Sequence, residues 1–231
     1  MHIMEGFLPW YWCAFWFLCA TPFVIWGIVS VRKTFREHPE QKIMVAVAGA
    51  FIFLLSSLKL PSVTGSSSHP TGTGFSTIYY GVGITTVLSS IVLVFQAILL
   101  AHGGLTTLGA NIFSMGVAGP AMAFGVFVLM ARLDLPRWAC VFVAAALANL
   151  GTYVVTSFQL ALAYPGENFI SSFETFLGVF AVTQIPLAIV EGVLFVMFVD
   201  YLSQSRPDLL GPLAKLRSKK GAAREKEAES A

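Results

Sequence analysis

The stretch Phe7–Val31, FLPWYWCAFWFLCATPFVIWGIVSV, contains no Asp, Glu, Lys, Arg or His. It is long enough to cross the ~30 Å hydrocarbon core of a bilayer, which takes ~20 apolar residues in a helix. The whole chain has the same character, because 56% of its 231 residues are hydrophobic and 11% are charged. Soluble domains carry about 25% charged residues. The sequence therefore predicts an all-α integral membrane protein.

The hydropathy of the sequence predicts about seven transmembrane helices, which we expect to form a bundle. The predicted segments are Phe7–Val31, Ile43–Leu58, Thr71–Gly83, Thr85–Ala101, Asn111–Ala131, Trp138–Ala163 and Phe173–Leu202. The third segment is short and rich in glycine, which indicates a broken or partly re-entrant span. Residues 1–202 are the predicted transmembrane part, and residues 203–231 are a polar tail whose mixed charges indicate a solvated cytoplasmic end.

The basic residues predict the orientation of this bundle. With seven spans, 13 of the 14 Lys and Arg residues fall on one side, and Lys59 alone falls on the other. Positive charge marks the cytoplasmic side, so we expect the N-terminus outside and the C-terminus inside. A six-span count would put the N-terminus beside the basic tail, although the first six residues carry no Lys or Arg. The positive charges follow the first apolar run, unlike those of a signal peptide, so we expect Met1 to be retained.

The first two residues form a predicted metal chelate. The α-amine of Met1, the backbone nitrogen of His2 and the His2 imidazole can close adjacent five- and six-membered rings around one ion. Three nitrogens in a plane suit late divalent transition metals such as Ni(II) and Cu(II), and Co(II) also adopts this arrangement.

A fourth nitrogen ligand is expected from the second outer loop, where His69 follows Gly65-Ser66-Ser67-Ser68. Pro70 favours an extended His69 and a helix start just beyond it. The positive end of that helix keeps the imidazole neutral, which is the ligating form. The candidates for supporting these ligands, or for lining the path of the ion, are Ser66, Ser67, Ser68, His102 and Asn111.

Each histidine also has a simpler interpretation. His2 and His102 alone would suit a membrane interface, and His69 alone would suit a loop at a helix end. The presence of His2 and His69 on the same predicted face favours the metal site.

Two polar side chains lie inside the predicted seventh span. A buried carboxylate in a membrane is costly unless it is protonated or paired, so Glu191 is a candidate either for function or for hydrogen bonding to another helix. Gln184 is expected to join helices. The Gly-rich segment lacks the Gly-Lys-Ser/Thr ending of a nucleotide-binding loop, so we expect this chain to contain no ATP site.

Four motifs in order resemble those of the CbiM/NikM family. They are MHIMEGFLP at 1–9, VTGSSSHPTGTG at 63–74, AHGGLTTLGANIFSMG at 101–116 and QIPLAIVEG at 184–192. The resemblance covers about residues 1–202. It implies the substrate-binding component of an energy-coupling factor transporter for cobalt or nickel, in a prokaryotic cell membrane. The implied metal ligands are the Met1 amine, the His2 backbone nitrogen and imidazole, and the His69 imidazole.

The resemblance also implies partners. These are a transmembrane coupling protein (CbiQ-like), cytoplasmic ATPases (CbiO-like) and a small accessory membrane subunit (CbiN-like), with no nucleic acid. It implies that this chain is not an enzyme and that its bound substrate is Co(II), supplied for cobalamin synthesis, with a nickel-specific importer component as the alternative. Small residues Ala46, Gly49 and Ala50 in the second span form a candidate face for the coupling protein, since small side chains let helices approach closely.

Two other classes remain open at this point. One is a membrane enzyme centred on Glu191, and the other is a channel or carrier that moves metal without partners. The spans contain no chain of acidic residues, which disfavours a proton-coupled carrier.

Overall fold

The computed structural model describes residues 2–61, 66–210 and 213. Its helices are α1 (Trp10–Glu37), α2 (Lys42–Ser57), α3 (Thr73–Leu99), α4 (Leu108–Asn111), α5 (Gly119–Arg132), α6 (Arg137–Ala163) and α7 (Phe169–Ser205). A π-helical segment, Ile112–Ala118, joins α4 to α5 in one continuous helix, and 3-10 turns lie at Pro39–Gln41 and Pro207–Leu210. Three short strands, β1 (His2–Ile3), β2 (Leu60–Pro61) and β3 (Ser66–Ser68), form one sheet.

Six helices in the described residues are long and apolar enough to span a membrane, rather than the seven predicted from the sequence. The difference arises in the middle of the chain. The predicted segments Thr71–Gly83 and Thr85–Ala101 belong to one element, α3, which contains the expected break at Gly81.

The break turns α3 back on itself. The hydroxyl groups of Ser76 and Thr85 lie 3.0 Å apart, although residues nine apart in a straight helix are separated by ~13.5 Å along the axis. Gly81 lies between them with φ 75° and ψ −179°, a region that is essentially restricted to glycine. Residues 73–80 and 82–99 are therefore two helical arms joined by a sharp turn.

The start of α3 lies inside the bundle, since Gly74 packs on Ala145 of α6, and after the turn the second arm of α3 runs to one end of the bundle. The sheet lies there, and we call it the sheet end. The end of α6 also lies there, since the Tyr164 hydroxyl donates to the carbonyl of Phe7, just before α1. At the opposite end, the start of α6 meets the end of α7, where Arg137 and Asp200 are 3.4 Å apart.

The central elements are α3 and α6, and α1 is peripheral. Half or more of the most apolar part of α3 and of α6 is buried, against 17% of that of α1. Close backbone approach holds the centre together, because a Cβ at Gly74 would lie 2.7 Å from the Cα of Ala145 on α6. The exposed side of α1 is apolar and includes Leu18 and Val29, which suits a surface that faces lipid.

The C-terminal helix is longer than predicted. It begins at Phe169 and ends at Ser205, compared with the predicted Phe173–Leu202. Most of the predicted tail, residues 203–231, lies outside the described residues, so its assignment as a separate polar segment stays a prediction.

Candidate metal centre

The short sheet places the N-terminus against the serine-rich loop. Strand β3 lies between β1 and β2, and both neighbours are antiparallel to it. His2 is opposite Ser67, and Ile3 is opposite Ser66. The two segments that the sequence analysis assigned to one metal site are therefore in direct contact, and His69 follows the central strand by one residue.

Three imidazoles converge beside this sheet. His2 and His69 are stacked with ring centroids 4.3 Å apart, and His102 stands almost perpendicular to both. One ligand atom from each ring lies within 4.8 Å of the others, and all three residues are buried. His102 comes from the loop after α3, so three separate parts of the chain supply the cluster.

Burial keeps these imidazoles neutral. It lowers the pKa of His102 to about 3. Burial also holds the pKa of His2 and of His69 well below the usual 6.5, and the neighbouring His102 ring lowers both further. A neutral imidazole has one N–H and one lone pair, and the lone pair is what binds a metal ion.

The hydrogen bond of His69 identifies its free lone pair. Nδ1 of His69 lies 2.7 Å from the carbonyl oxygen of Pro70. A carbonyl oxygen only accepts, so Nδ1 must carry the proton and Nε2 must carry the lone pair. That Nε2 is buried and has no hydrogen-bond partner in the described part of the chain. His69 is thus held in the tautomer that presents Nε2 to an ion.

His102 is tied to both neighbouring segments. Its Nε2 lies 3.1 Å from Nδ1 of His2 and 2.7 Å from the hydroxyl of Ser67. Its own Nδ1 is without a hydrogen-bond partner among the described residues. The ring therefore contacts His2 at Nδ1, the atom that the predicted chelate would use, and it adds a third imidazole to the two that were predicted as ligands.

Asn111 holds the residue that follows His2. Its Oδ1 accepts from the Ile3 N–H at 2.8 Å, and its Nδ2 donates to the Ile3 carbonyl at 3.0 Å. The hydroxyl of Thr107 donates to the same carbonyl at 2.9 Å. Both backbone polar groups of Ile3 are bonded to side chains at the two ends of α4, which fixes the direction of the chain at His2.

A second set of contacts closes over the N-terminal segment. The Glu5 carboxylate accepts from the backbone N–H and the hydroxyl of Thr106, and the hydroxyl contact lowers the pKa of Glu5. The Glu5 N–H donates to the Gly103 carbonyl at 3.2 Å. A Cβ at Gly104 would lie 2.5 Å from the Glu5 Cα, so glycine at 104 is needed for this close packing.

The other predicted site residues are distributed more widely. Ser68 bonds Thr183 of α7 at 2.8 Å and does not contact the imidazoles by hydrogen bonding. Glu191 bonds Thr71 and Gly72, just after His69. Gln184 is buried and has no hydrogen-bond partner for its amide in the part of the chain described. Met1 lies outside the described residues.

The predicted partner face is only partly available. Ala46 and Ala50 are exposed on α2. Gly49 instead points inward, since a Cβ there would lie 3.2 Å from a methyl group of Leu88 on α3.

Sequence reasoning did not find several residues that support the site. These are Glu5, Thr71, Thr106 and Thr107. Glu5 and Thr106 are 101 positions apart, and neither belongs to a local pattern that signals a contact. The glycines at 103 and 104 were the available signal, because adjacent glycines often mark close backbone approach.

The fold and the buried imidazole cluster define a multi-pass membrane protein with a site suited to a metal ion. The chain resembles the crystal structure of a transition metal transporter with a TM-score of 0.79 and 23% identity, covering 88% of this chain and 93% of the other. A truncated transition metal transporter gives a TM-score of 0.77 and 23% identity, covering 88% and 99%. These similarities establish a shared fold.

Residues 2–209 match the family CbiM, described as the cobalt uptake substrate-specific transmembrane region. The cobalt transport protein CbiM of Carboxydothermus hydrogenoformans is 56% identical over 204 residues, covering 88% of this chain and 84% of the relative. The putative cobalt transport protein CbiM of Archaeoglobus fulgidus is 53% identical over 214 residues, covering 91% and 98%. This chain belongs to the CbiM family of membrane transport components, which confirms the family resemblance drawn from the sequence.

Proposed function

We propose that this chain binds Co(II) at the outer membrane face and is the substrate-specificity component of an energy-coupling factor importer. The observation that carries the proposal is the convergence of His2, His69 and His102, which come from three separate parts of the chain and place ligand atoms within 4.8 Å of one another. In the proposed cycle the chain captures the ion and partner chains hydrolyse ATP.

The proposed ligands are the Met1 amine, the backbone nitrogen and imidazole of His2, and Nε2 of His69. The neutral tautomer of His69 supports its part in this set. The six-membered chelate ring would use Nδ1 of His2, which lies 3.1 Å from Nε2 of His102, so His102 is proposed to hold this ring before the ion binds and to release Nδ1 to the ion. The Ser67 hydroxyl, 2.7 Å from Nε2 of His102, keeps that ring beside the site.

The proposed orientation has the sheet end outside. If residues 70–80 run inward and residues 82–99 run back outward, the two ends of the chain lie on opposite sides of the bilayer. The end of α1, the end of α5 and the start of α6 then share the side of the basic tail. Because positive charge favours the cytoplasm, the N-terminus is outside and the C-terminus is inside.

Cobalt is proposed over nickel because the curated relatives are named as cobalt transport proteins. By the same relationship, we propose a coupling protein, ATPases and a small accessory membrane subunit as partners, and cobalamin synthesis as the destination of the metal. A membrane enzyme centred on Glu191 is disfavoured, because the contacts of its carboxylate are made to groups of the protein itself.

The test is metal analysis of the purified chain exposed to equal Co(II) and Ni(II). The matched variant carries one extra residue before Met1, and the control carries one extra residue after Ala231. We expect cobalt in the original chain and in the control, and loss of cobalt in the variant, because the extension removes the free amine from its position. Equal cobalt content in the original chain, the variant and the control would contradict the N-terminal ligand set. Preferential loading with nickel would contradict the assignment of cobalt as the substrate.

A further inference from the structure

Glu191 of α7 is connected to the imidazole of His69 through a single peptide group. We propose that Glu191 is a positioning residue for metal binding, and that it acts through a carboxylate–peptide–imidazole relay. The proposal rests on the function proposed above, because it gives His69 the role of a ligand.

The relay consists of two hydrogen bonds on opposite sides of the Pro70–Thr71 peptide unit. The Thr71 N–H donates to Oε2 of Glu191 at 2.7 Å. The carbonyl of the same peptide unit, on Pro70, accepts from Nδ1 of His69 at 2.7 Å. Since the peptide group is planar and conjugated, a carboxylate bonded to its N–H increases the negative charge on its oxygen. Hydrogen bonds in such a chain strengthen one another.

The carboxylate is arranged as an ionised acceptor. Besides the Thr71 N–H, it accepts from the Thr71 hydroxyl at 2.8 Å, from the Gly72 N–H at 2.8 Å and from Nδ2 of Asn149 at 2.9 Å. Each oxygen thus receives two hydrogen bonds. Hydrogen bonds of this kind favour the charged form of a carboxyl group and so oppose the cost of burying it. Glu191 also lies close to the start of α3, where the helix dipole favours a negative charge.

The surrounding backbone prevents this segment from shifting. Gly72 has φ 71° and is packed so closely on α2 that a Cβ there would lie 2.8 Å from the Cα of Ile52. Pro70 restricts His69 to an extended conformation. The bonds from Glu191 therefore fix the Pro70 carbonyl, and that carbonyl fixes the plane and tautomer of the His69 ring.

The chemical consequence is a better ligand at Nε2. Metal-binding histidines usually donate their other N–H to a carboxylate or a carbonyl, which orients the ring and raises its basicity. Here one peptide group passes the effect of a carboxylate on α7 to a histidine in the loop before α3. A movement of α7 would therefore change the position and basicity of the His69 imidazole through the same two hydrogen bonds.

The test is a double-mutant cycle on the full chain, with Co(II) affinity measured by competition. Glu191→Gln keeps the shape of the side chain, removes its charge and leaves one oxygen for four donors. We expect it to weaken Co(II) binding about 10- to 100-fold, as supporting residues of metal ligands do. In a His69→Ala background we expect the same change to alter affinity by less than about twofold, because residues that act on one ligand do not contribute additively.

The control is Asp200→Asn, which makes the same carboxyl-to-amide change further along α7, where Asp200 pairs with Arg137. We expect it to leave Co(II) affinity unchanged. Equal weakening by Glu191→Gln in both backgrounds would overturn the relay and leave the metal site standing. Unchanged affinity on His69→Ala alone would instead overturn the proposed ligand set.

A measurement on the unaltered chain keeps the relay testable if Glu191→Gln does not fold. Nitrogen-15 NMR of labelled histidines in the metal-free protein, assigned with His69→Ala, reports which ring nitrogen carries the proton. We expect the Nδ1–H tautomer for His69. A proton on Nε2 would overturn the relay, because the Pro70 carbonyl would then have no donor to accept from.

Discussion

The imidazoles of His69 and His102 have ring centroids 4.9 Å apart, although the whole of α3 separates them in the chain. A straight helix of that length would hold them ~40 Å apart. The turn at Gly81 reverses the direction of α3, so that the chain after α3 comes back to His69. The geometry of the metal centre therefore depends on a residue that is far from it along both arms of α3.

This dependence predicts a strong effect of Gly81→Ala. The backbone there has φ 75°, and a side chain in such a region costs about 1–3 kcal/mol. We expect a lower free energy of unfolding in detergent and weaker Co(II) binding, measured on the same preparation. Gly125→Ala is the control, since a Cβ there also meets no atom within 4 Å and α5 is helical at that point. The idea fails if the two variants behave alike.

Asn111 gives a second prediction. Replacing it by Leu leaves both polar groups of Ile3 without the amide that now bonds them. We expect a loose N-terminal segment, faster removal of the first residues by an aminopeptidase and about 10- to 100-fold weaker Co(II) binding.

The control for this prediction is Asn168→Ala. Asn168 caps α7 by accepting from the Ser171 N–H at 2.8 Å, so its loss costs about 1 kcal/mol of helix stability. It does not contact the N-terminal segment by any hydrogen bond described, so the N-terminus should stay as resistant as in the original chain. Equal sensitivity of the two variants would mean that Asn111 acts only on overall stability.

The membrane-spanning helices and the proximity of His2 to His69 could be predicted, because each follows from a clear pattern in the sequence. Long apolar runs specify spans, and the count of spans places two histidines on one face. The turn in α3 was predicted only as a weakness of the third segment. Whether a glycine bends, breaks or reverses a helix depends on the contacts around it. Here the two arms contact each other through the hydroxyl groups of Ser76 and Thr85, on either side of Gly81.

The sequence names Asn111 and His102 as candidate supports, but it does not predict which groups they contact. Asn111 bonds the backbone of Ile3 across 108 positions, and Glu191 bonds Thr71 across 120. Every residue except proline carries the same backbone N–H and carbonyl groups, so the sequence does not indicate which of them a side chain will bond. The sequence did indicate Glu191 correctly as an expensive buried carboxylate, but its partners follow only from the three-dimensional arrangement.

His102 gives a third prediction, which separates a support from a ligand. Its Nε2 is held by the Ser67 hydroxyl at 2.7 Å, so we expect His102→Ala to weaken Co(II) binding while leaving the number of coordinated nitrogens unchanged. His69→Ala should reduce that number by one. The visible absorption spectrum of the Co(II)-loaded protein measures both. The same spectral change in the two variants would make His102 a ligand.

The stability of the metal-free protein gives a fourth prediction, because its three imidazoles are kept neutral. Their pKa values are lowered in the folded state, to about 3 for His102, while in the unfolded chain they return to about 6.5. The unfolded state therefore binds more protons below pH 6.5, and stability must fall as the pH decreases from there. The stabilisation is fully present above pH 6.5 and is lost progressively towards the folded pKa values.

Between pH 6.5 and 5 His102, with its pKa of about 3, should contribute a loss of about 1–2 kcal/mol, and His2 and His69 should add to the loss in the same direction. This window lies above the range in which Glu5, whose pKa is also lowered, begins to act. The free energy of unfolding by a denaturing detergent should fall less steeply with pH in His102→Asn, which retains two of the three imidazoles. His38→Asn is the comparison, since His38 is exposed beside Glu40. If its slope changes as much as that of His102→Asn, the buried cluster is not the source of the acid sensitivity.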